Sequence, residues 1–171
     1  ITAEGNHNEE VKCRIAKATA ALKKLDNLWK KAPVSIKWKL RVYDAVILAV
    51  LLYGLETVAL TDRNKAKLDA FHFKALRKLL GIKHAYWSRV SNPTALERAK
   101  QRARLNGDKR IQVISARLAR RQVTLFGHIL RSEEDDIVKI HTLEPDGSRK
   151  RAGFRRVGRP RVKWYDVVRK L

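Results

Sequence analysis

Eight successive apolar residues, Val46-Ile47-Leu48-Ala49-Val50-Leu51-Leu52-Tyr53, constrain this chain more than any other stretch. As a helix the run is apolar on every face, and such a helix must be buried on all sides. It is far short of the roughly 20 residues a membrane span needs. It therefore predicts the core, with the remaining elements wrapped around it. Its β-branched content leaves a strand as the rival assignment.

The other apolar residues recur with helical spacing. Val11, Ile15, Ala18, Leu22, Leu25 and Trp29 fall at alternating steps of four and three, which places them on one face of a helix. Asn8 can cap it, Glu9 and Glu10 suit its positive end, Lys30 and Lys31 suit the other end, and Pro33 stops it. Ser35 can cap a second helix, which alternates basic and apolar residues from Lys37 to Arg41 and runs into the apolar segment. Thr61 can cap a third, with Leu68, Phe71, Ala75 and Leu79 on one face and Gly81 at its C-terminal end. A loop with Tyr86, Trp87 and Ser88 follows. Asn92-Pro93 then starts a fourth helix, with Pro93 at the first helical position, where its missing N–H costs nothing. Gly107 breaks that helix, and Ile111, Ile114, Leu118, Leu125 and Ile129 form a fifth stripe.

Glu144-Pro145-Asp146-Gly147 is a turn. Beyond it, Gly153, Gly158 and Pro160 favour an extended chain. Pro160 can open a short terminal helix with Trp164, Val167, Val168 and Leu171 on one side. Ile1 to Gly5 read weakly as a strand end and turn, and no internal repeat is present. The fold class is mostly α: a bundle of about five or six helices with an extended arginine-rich C-terminal segment. It divides into a helical domain over residues 1–90, a basic helical segment over 91–142, and a tail with a short terminal helix over 143–171.

Charge favours nucleic acid as the partner over a merely soluble basic protein or one that touches anionic lipid. The chain holds 39 Lys+Arg against 17 Asp+Glu, a formal net charge of +22. Such an excess repels itself in a compact fold, and a polyanion relieves it. A basic chain of pI near 10.7 carries the electrostatic footprint of nucleic-acid binding. The basic residues cluster. Arg98 to Arg121 contains nine of them against the single acid Asp108, and Arg149 to Leu171 contains ten against Asp166. Arginine forks match phosphates two hydrogen bonds at a time and stack on bases. The predicted RNA contacts are therefore Arg98, Arg102, Arg104, Lys109, Arg110, Arg117, Arg120 and Arg121 in the first cluster. In the second they are Arg149, Lys150, Arg151, Arg155, Arg156, Arg159, Arg161 and Lys163. Trp87 and Trp164 are available for stacking on bases, although Trp164 is better suited to anchoring the last helix.

The residue types needed for chemistry are not assembled. Glu133-Glu134-Asp135-Asp136 has no β-hairpin pattern around it and reads as a solvated turn or helix N-terminus, not as a polymerase magnesium site. Five scattered histidines make no metal-ligand spacing. His72 reads as packed beside Phe71, and His128 as a packing or hydrogen-bonding residue. No nucleophile elbow or phosphate-cradling glycine loop occurs. The lone thiol, Cys13, can make neither an internal disulfide nor a cysteine-rich zinc site, and reads as a small core residue. No metal and no cofactor is expected, and neither a membrane span nor a secretory signal is visible. The chain starts at Ile1 and contains no Met, as a processed product or fragment would. Gly158-Arg159-Pro160-Arg161 equals the core of an AT-hook, a reader of the DNA minor groove, so DNA stays possible.

Five strings carry a family resemblance. Leu51-Leu52-Tyr53-Gly54-Leu55-Glu56-Thr57 is followed by Leu68-Asp69-Ala70-Phe71-His72 and by Leu76-Arg77-Lys78-Leu79-Leu80-Gly81-Ile82. Then come Leu125-Phe126-Gly127-His128-Ile129-Leu130-Arg131 and the ending from Gly158 through Trp164 to Val168. In this order they resemble the C-terminal part of non-long-terminal-repeat retrotransposon reverse transcriptases. Ile1 to Gly5 is similar to the stretch after the primer-grip strands, and residues 8–31 to the start of the thumb.

The resemblance implies a thumb-like helical domain and a basic extension that hold RNA while a palm, N-terminal to this region, performs catalysis. The palm's Tyr/Phe-x-Asp-Asp motif is absent here, so no catalytic residue carries over and the chain is not expected to be an enzyme. Val58 and Thr124 stand where the family often has Trp, and no zinc knuckle follows, as in a degenerate or co-opted copy. The leading expectation is a non-catalytic, RNA-binding structural component of a large ribonucleoprotein, an organellar (mitochondrial) ribosome for example, in contact with rRNA and other proteins. The alternatives are a template/primer-holding fragment of an active, nuclear reverse transcriptase and a minor-groove DNA-binding protein.

Overall fold

A computed structural model describes residues 7–103, 111–148, 150 and 163–171, with the backbone alone at Ala85. Every regular element among these residues is helical, and they form a mostly α bundle. Ile1 to Gly5, the Gly107 break and the extended stretch before the terminal helix lie outside the described residues.

The first predicted helix is broken. α1 spans His7–Lys24 and a short α2 spans Asp26–Lys30, with a turn at Leu25 between them. The indole N–H of the buried Trp29 donates to the Leu22 carbonyl at 2.9 Å. That carbonyl is the acceptor an unbroken helix would give to Asp26. A side chain entering the hydrogen-bond ladder is a recognised cause of a kink. Val11, Ala18 and Leu22 are buried as their spacing requires. Cys13 is exposed, contrary to its reading as a core residue, because two residues from Val11 lies on the far side of the helix.

The central helical run is α3 (Ile36–Val42), a π-helical segment (Tyr43–Leu48) and α4 (Ala49–Leu52). Ser35 caps it, its hydroxyl accepting from the Trp38 amide at 3.3 Å. The run is not buried on all sides, as its uniform apolarity suggested. Tyr43, Ile47, Leu48, Leu51 and Leu52 are buried, whereas Val46 is 42% and Tyr53 70% exposed. The wider π turn carries the inward face from Tyr43 to Ile47 and Leu48, and neighbours cover that face only. Gly54, at φ 70°, turns the chain into a 3-10 turn at Leu55–Thr57.

α5 (Asp62–Leu80) is capped as its sequence specifies: Thr61 accepts from the Asn64 amide, and Gly81 is left-handed at φ 67°. The next loop holds one helical turn, α6 (Ala85–Ser88). α7 (Asn92–Ala103) takes its cap from Ser91, whose hydroxyl accepts from the Thr94 amide at 3.3 Å, so Pro93 is its second residue and not its first. α8 spans Ile114–Arg131. Ile114, Leu118 and Ile129 are buried, and so is Gln122, whose amide donates to the Val58 carbonyl at 3.0 Å.

Glu133, Glu134 and Asp135 are exposed, and Asp136 caps α9 (Ile137–Thr142) by accepting from the Val138 and Lys139 amides. α10 (Trp164–Val168) packs on α8 through Phe126, whose ring lies 6.1 Å from that of Trp164 and 5.6 Å from that of Tyr165. One hydrophobic cluster runs from Val11 to Leu118. It includes Ala99, Ala103, Ile111 and Ile114 from beyond residue 90.

His72 is buried within this cluster, its Nδ1 2.9 Å from the Tyr43 hydroxyl. Burial lowers its pKa to about 4. Arg117 adds to the lowering, and Asp69, Asp44 and the Gln112 backbone oppose it. Burial pushes the Tyr43 hydroxyl well above its ordinary value.

Leu51→Ala should cost about 2–5 kcal/mol and Val46→Ala under about 1 kcal/mol in denaturant titrations; equal costs would contradict one-sided burial. Because the folded pKa of His72 lies below its unfolded value near 6.5, the folded state binds fewer protons. Stability present above pH 6.5 is lost as pH falls toward 4, by about 3 kcal/mol. His72→Asn should remove that share of the pH dependence between pH 6.5 and 4.

Candidate nucleic-acid interface

α8 presents two faces of opposite character. Its apolar side enters the core, and Arg117, Arg120, Arg121, Thr124, Leu125, His128 and Arg131 line a groove on another side. Their spacing follows the helical steps of three and four, so they share a face. Gln112 and Glu56 complete the wall, and the groove has a volume of about 650 Å³. Four guanidinium groups thus face one lining carboxylate. From Arg117 to Arg131 the helix rises about 21 Å at ~1.5 Å per residue, and nucleotides on one strand of a duplex advance about 3.4 Å along its axis. The groove therefore matches about six nucleotide steps.

The arginines are not equivalent. Arg117 is half-buried and its two terminal nitrogens meet both oxygens of Asp44, the Nη2–Oδ2 distance being 3.1 Å. This fork ties α8 to the π-helical segment and offsets the Arg117 charge. Arg121 reaches Glu56 only at 4.0 Å and is exposed, as are Arg120 and Arg131. The groove's charge is therefore carried mainly by Arg120, Arg121 and Arg131. Trp164 donates its indole N–H to the Glu56 carbonyl at 2.6 Å, which brings the chain back beside the groove where the arginine-rich stretch ends.

The remaining predicted contacts fall elsewhere. Arg98 is exposed on α7. Arg102 donates to the Leu80 carbonyl at 3.1 Å and so closes the end of α5. Lys150 donates to the Ile140 carbonyl at 2.8 Å, and Lys163 is half-buried at the N-terminal cap of α10. Arg104, Lys109, Arg110, Arg149, Arg151, Arg155, Arg156, Arg159 and Arg161 lie outside the described residues.

His128 and Arg131 were not among the expected contacts. His128 is exposed on the groove, not packed as its neighbours Phe126 and Gly127 suggested. The signal that could have found both is helical phase: His128 and Arg131 continue the face set by Arg117, Arg121 and Thr124. Among the described residues no three His, Cys, Asp or Glu side chains are placed to hold a metal ion, and no helix is long and apolar enough to cross a membrane.

These roles separate by stability. Arg117→Ala should cost on the order of 1 kcal/mol, because it leaves Asp44 without its fork. Arg120→Ala and Arg131→Ala should stay within about 0.5 kcal/mol. Equal losses in thermal unfolding would contradict the division. Comparison with protein-family models, with curated proteins and with solved structures finds no match to this chain.

Proposed function

We propose that this chain is a non-catalytic RNA-binding protein, derived from a reverse-transcriptase thumb region, that serves as a structural component of a large ribonucleoprotein such as an organellar ribosome. The observation that carries the binding function is the α8 groove, where Arg120, Arg121, Arg131 and His128 are exposed on one face and Glu56 is the one lining carboxylate among the described residues. Exposed guanidinium groups in a row suit phosphates, and neutralising phosphates releases counterions. The net charge of +22 supports the same reading, since a polyanion relieves the self-repulsion of the fold. The thumb ancestry rests on the resemblance of the quoted strings.

The groove is tested by the salt dependence of binding to a structured RNA. Arg120→Ala, Arg121→Ala and Arg131→Ala should each weaken binding modestly and reduce the slope of log affinity against log salt by about one. Lys17→Ala, an exposed cation of α1 outside both the groove and the predicted contacts, serves as the comparison. Groove variants that left the slope untouched would remove α8 from the interface. A preference for A·T-rich duplex DNA over RNA would favour minor-groove DNA binding instead.

A further inference from the structure

The loop between α5 and α7 displays the two most exposed large aromatic side chains of the described structure. Tyr86 is 73% and Trp87 74% exposed. Their rings meet edge to face, with centroids 5.1 Å apart. Adjacent and in contact, they form a contiguous apolar patch, which is what distinguishes an interaction site from singly exposed side chains.

The loop is built to hold them there. Arg77 of α5, itself only 8% exposed, donates to the Val90 carbonyl at 2.9 Å and to the Asn92 side-chain oxygen at 2.8 Å. One buried guanidinium thus ties the C-terminal base of the loop to the helix beneath. Arg102 holds the Leu80 carbonyl at the loop's start, and the Trp87 and Ser88 amides both donate to the His84 carbonyl at 3.0 Å. Arg89 ends the helical turn in a left-handed conformation, φ 53°, which costs a non-glycine residue on the order of 1 kcal/mol. A buried charge and a strained residue thus hold a loop whose tip is two rings in solvent. That arrangement preorganises a contact and lowers the ordering cost of binding.

Charge indicates what the rings meet. From Ala70 to Leu96 the sequence has no acidic residue and five Lys or Arg. Lys83, His84 and Arg89 are exposed around the rings. Aromatic faces among cations fit an anionic ligand that offers flat π surfaces, and unpaired nucleotides supply both. In a duplex the base faces are covered by their neighbours, so paired RNA cannot use such a platform.

We propose that Tyr86 and Trp87 form a base-stacking platform for unpaired nucleotides of the bound RNA, with Lys83, His84 and Arg89 beside the phosphates. This rests on the RNA-binding function proposed above and adds to it: the α8 groove tracks the backbone, and this loop selects single-stranded or looped segments.

The test uses the full chain with two labelled RNAs of equal length, a mixed-sequence single strand and a fully paired duplex. Binding is followed by fluorescence anisotropy for the wild type, Trp87→Ala, Tyr86→Ala and Trp87→Phe. Both side chains are mostly in solvent, so an unchanged unfolding temperature is the check on folding. Trp87→Ala should weaken single-strand binding about tenfold and leave duplex binding within about twofold. Its salt slope on the single strand should match the wild type, because stacking displaces no counterions. Trp87→Phe should restore most of the affinity. Equal losses on both RNAs, or no loss on either, would overturn the platform and leave the aromatic pair as a contact for a protein partner. Failure of the wild type to bind either RNA would overturn the RNA-binding function itself. Duplex binding with its own salt slope keeps the two failures apart.

Discussion

Tyr43, Ile47, Leu48, Leu51 and Leu52 project from one side of the central helical run and fill the space between α1 and α5. The rest of the bundle is arranged around this packed face. The π turn keeps Tyr43 in line with the leucines below it, and Tyr43 reaches across to His72 of α5. The next residue, Asp44, forks with Arg117 of α8. Two adjacent residues of one turn thus fix both α5 and α8, and the second fixes the helix that carries the basic groove. The apolar core and the charged surface are coupled through a single turn of backbone.

The net charge sets a second constraint. A chain at +22 has few carboxylates to distribute, and several are used at structural joints. Asp44 holds Arg117, Asp26 meets Lys30 and Lys78, Glu10 meets Arg14, and Asp136 caps α9. These joints take up acids, while Arg120, Arg121 and Arg131 share a face with little opposition. A surface of that kind is costly for an isolated protein and favourable against a polyanion.

Much of the fold was legible in the sequence, because local rules govern it. The caps at Ser35, Thr61 and Gly81 and the stripe of α5 follow from side chains acting within a few residues. Legibility failed where a distant partner intervened. The break at Leu25 depends on the Trp29 indole claiming a carbonyl seven residues back, and nothing in the periodicity of α1 signals it. Burial of Gln122 depends on the Val58 carbonyl, and the asymmetric exposure of Val46 and Tyr53 depends on which neighbours arrive. The groove was half legible. Arg120 and Arg121 were identified from composition, but composition does not separate a fork such as Arg117–Asp44 or a helix-end contact such as Arg102–Leu80 from a free cation. His128 and Arg131 were missed because they stand outside the dense basic cluster, although helical phase joins them to it.

The central claim is that the protein lives on RNA inside a larger particle. Isolating the native protein from the cells that make it, before and after ribonuclease and a high-salt wash, tests this most directly. Co-migration with a ribosome-sized particle that is lost on ribonuclease treatment is the predicted result. A longer polypeptide with an N-terminal palm and primer-extension activity, or migration that ignores ribonuclease, would contradict it.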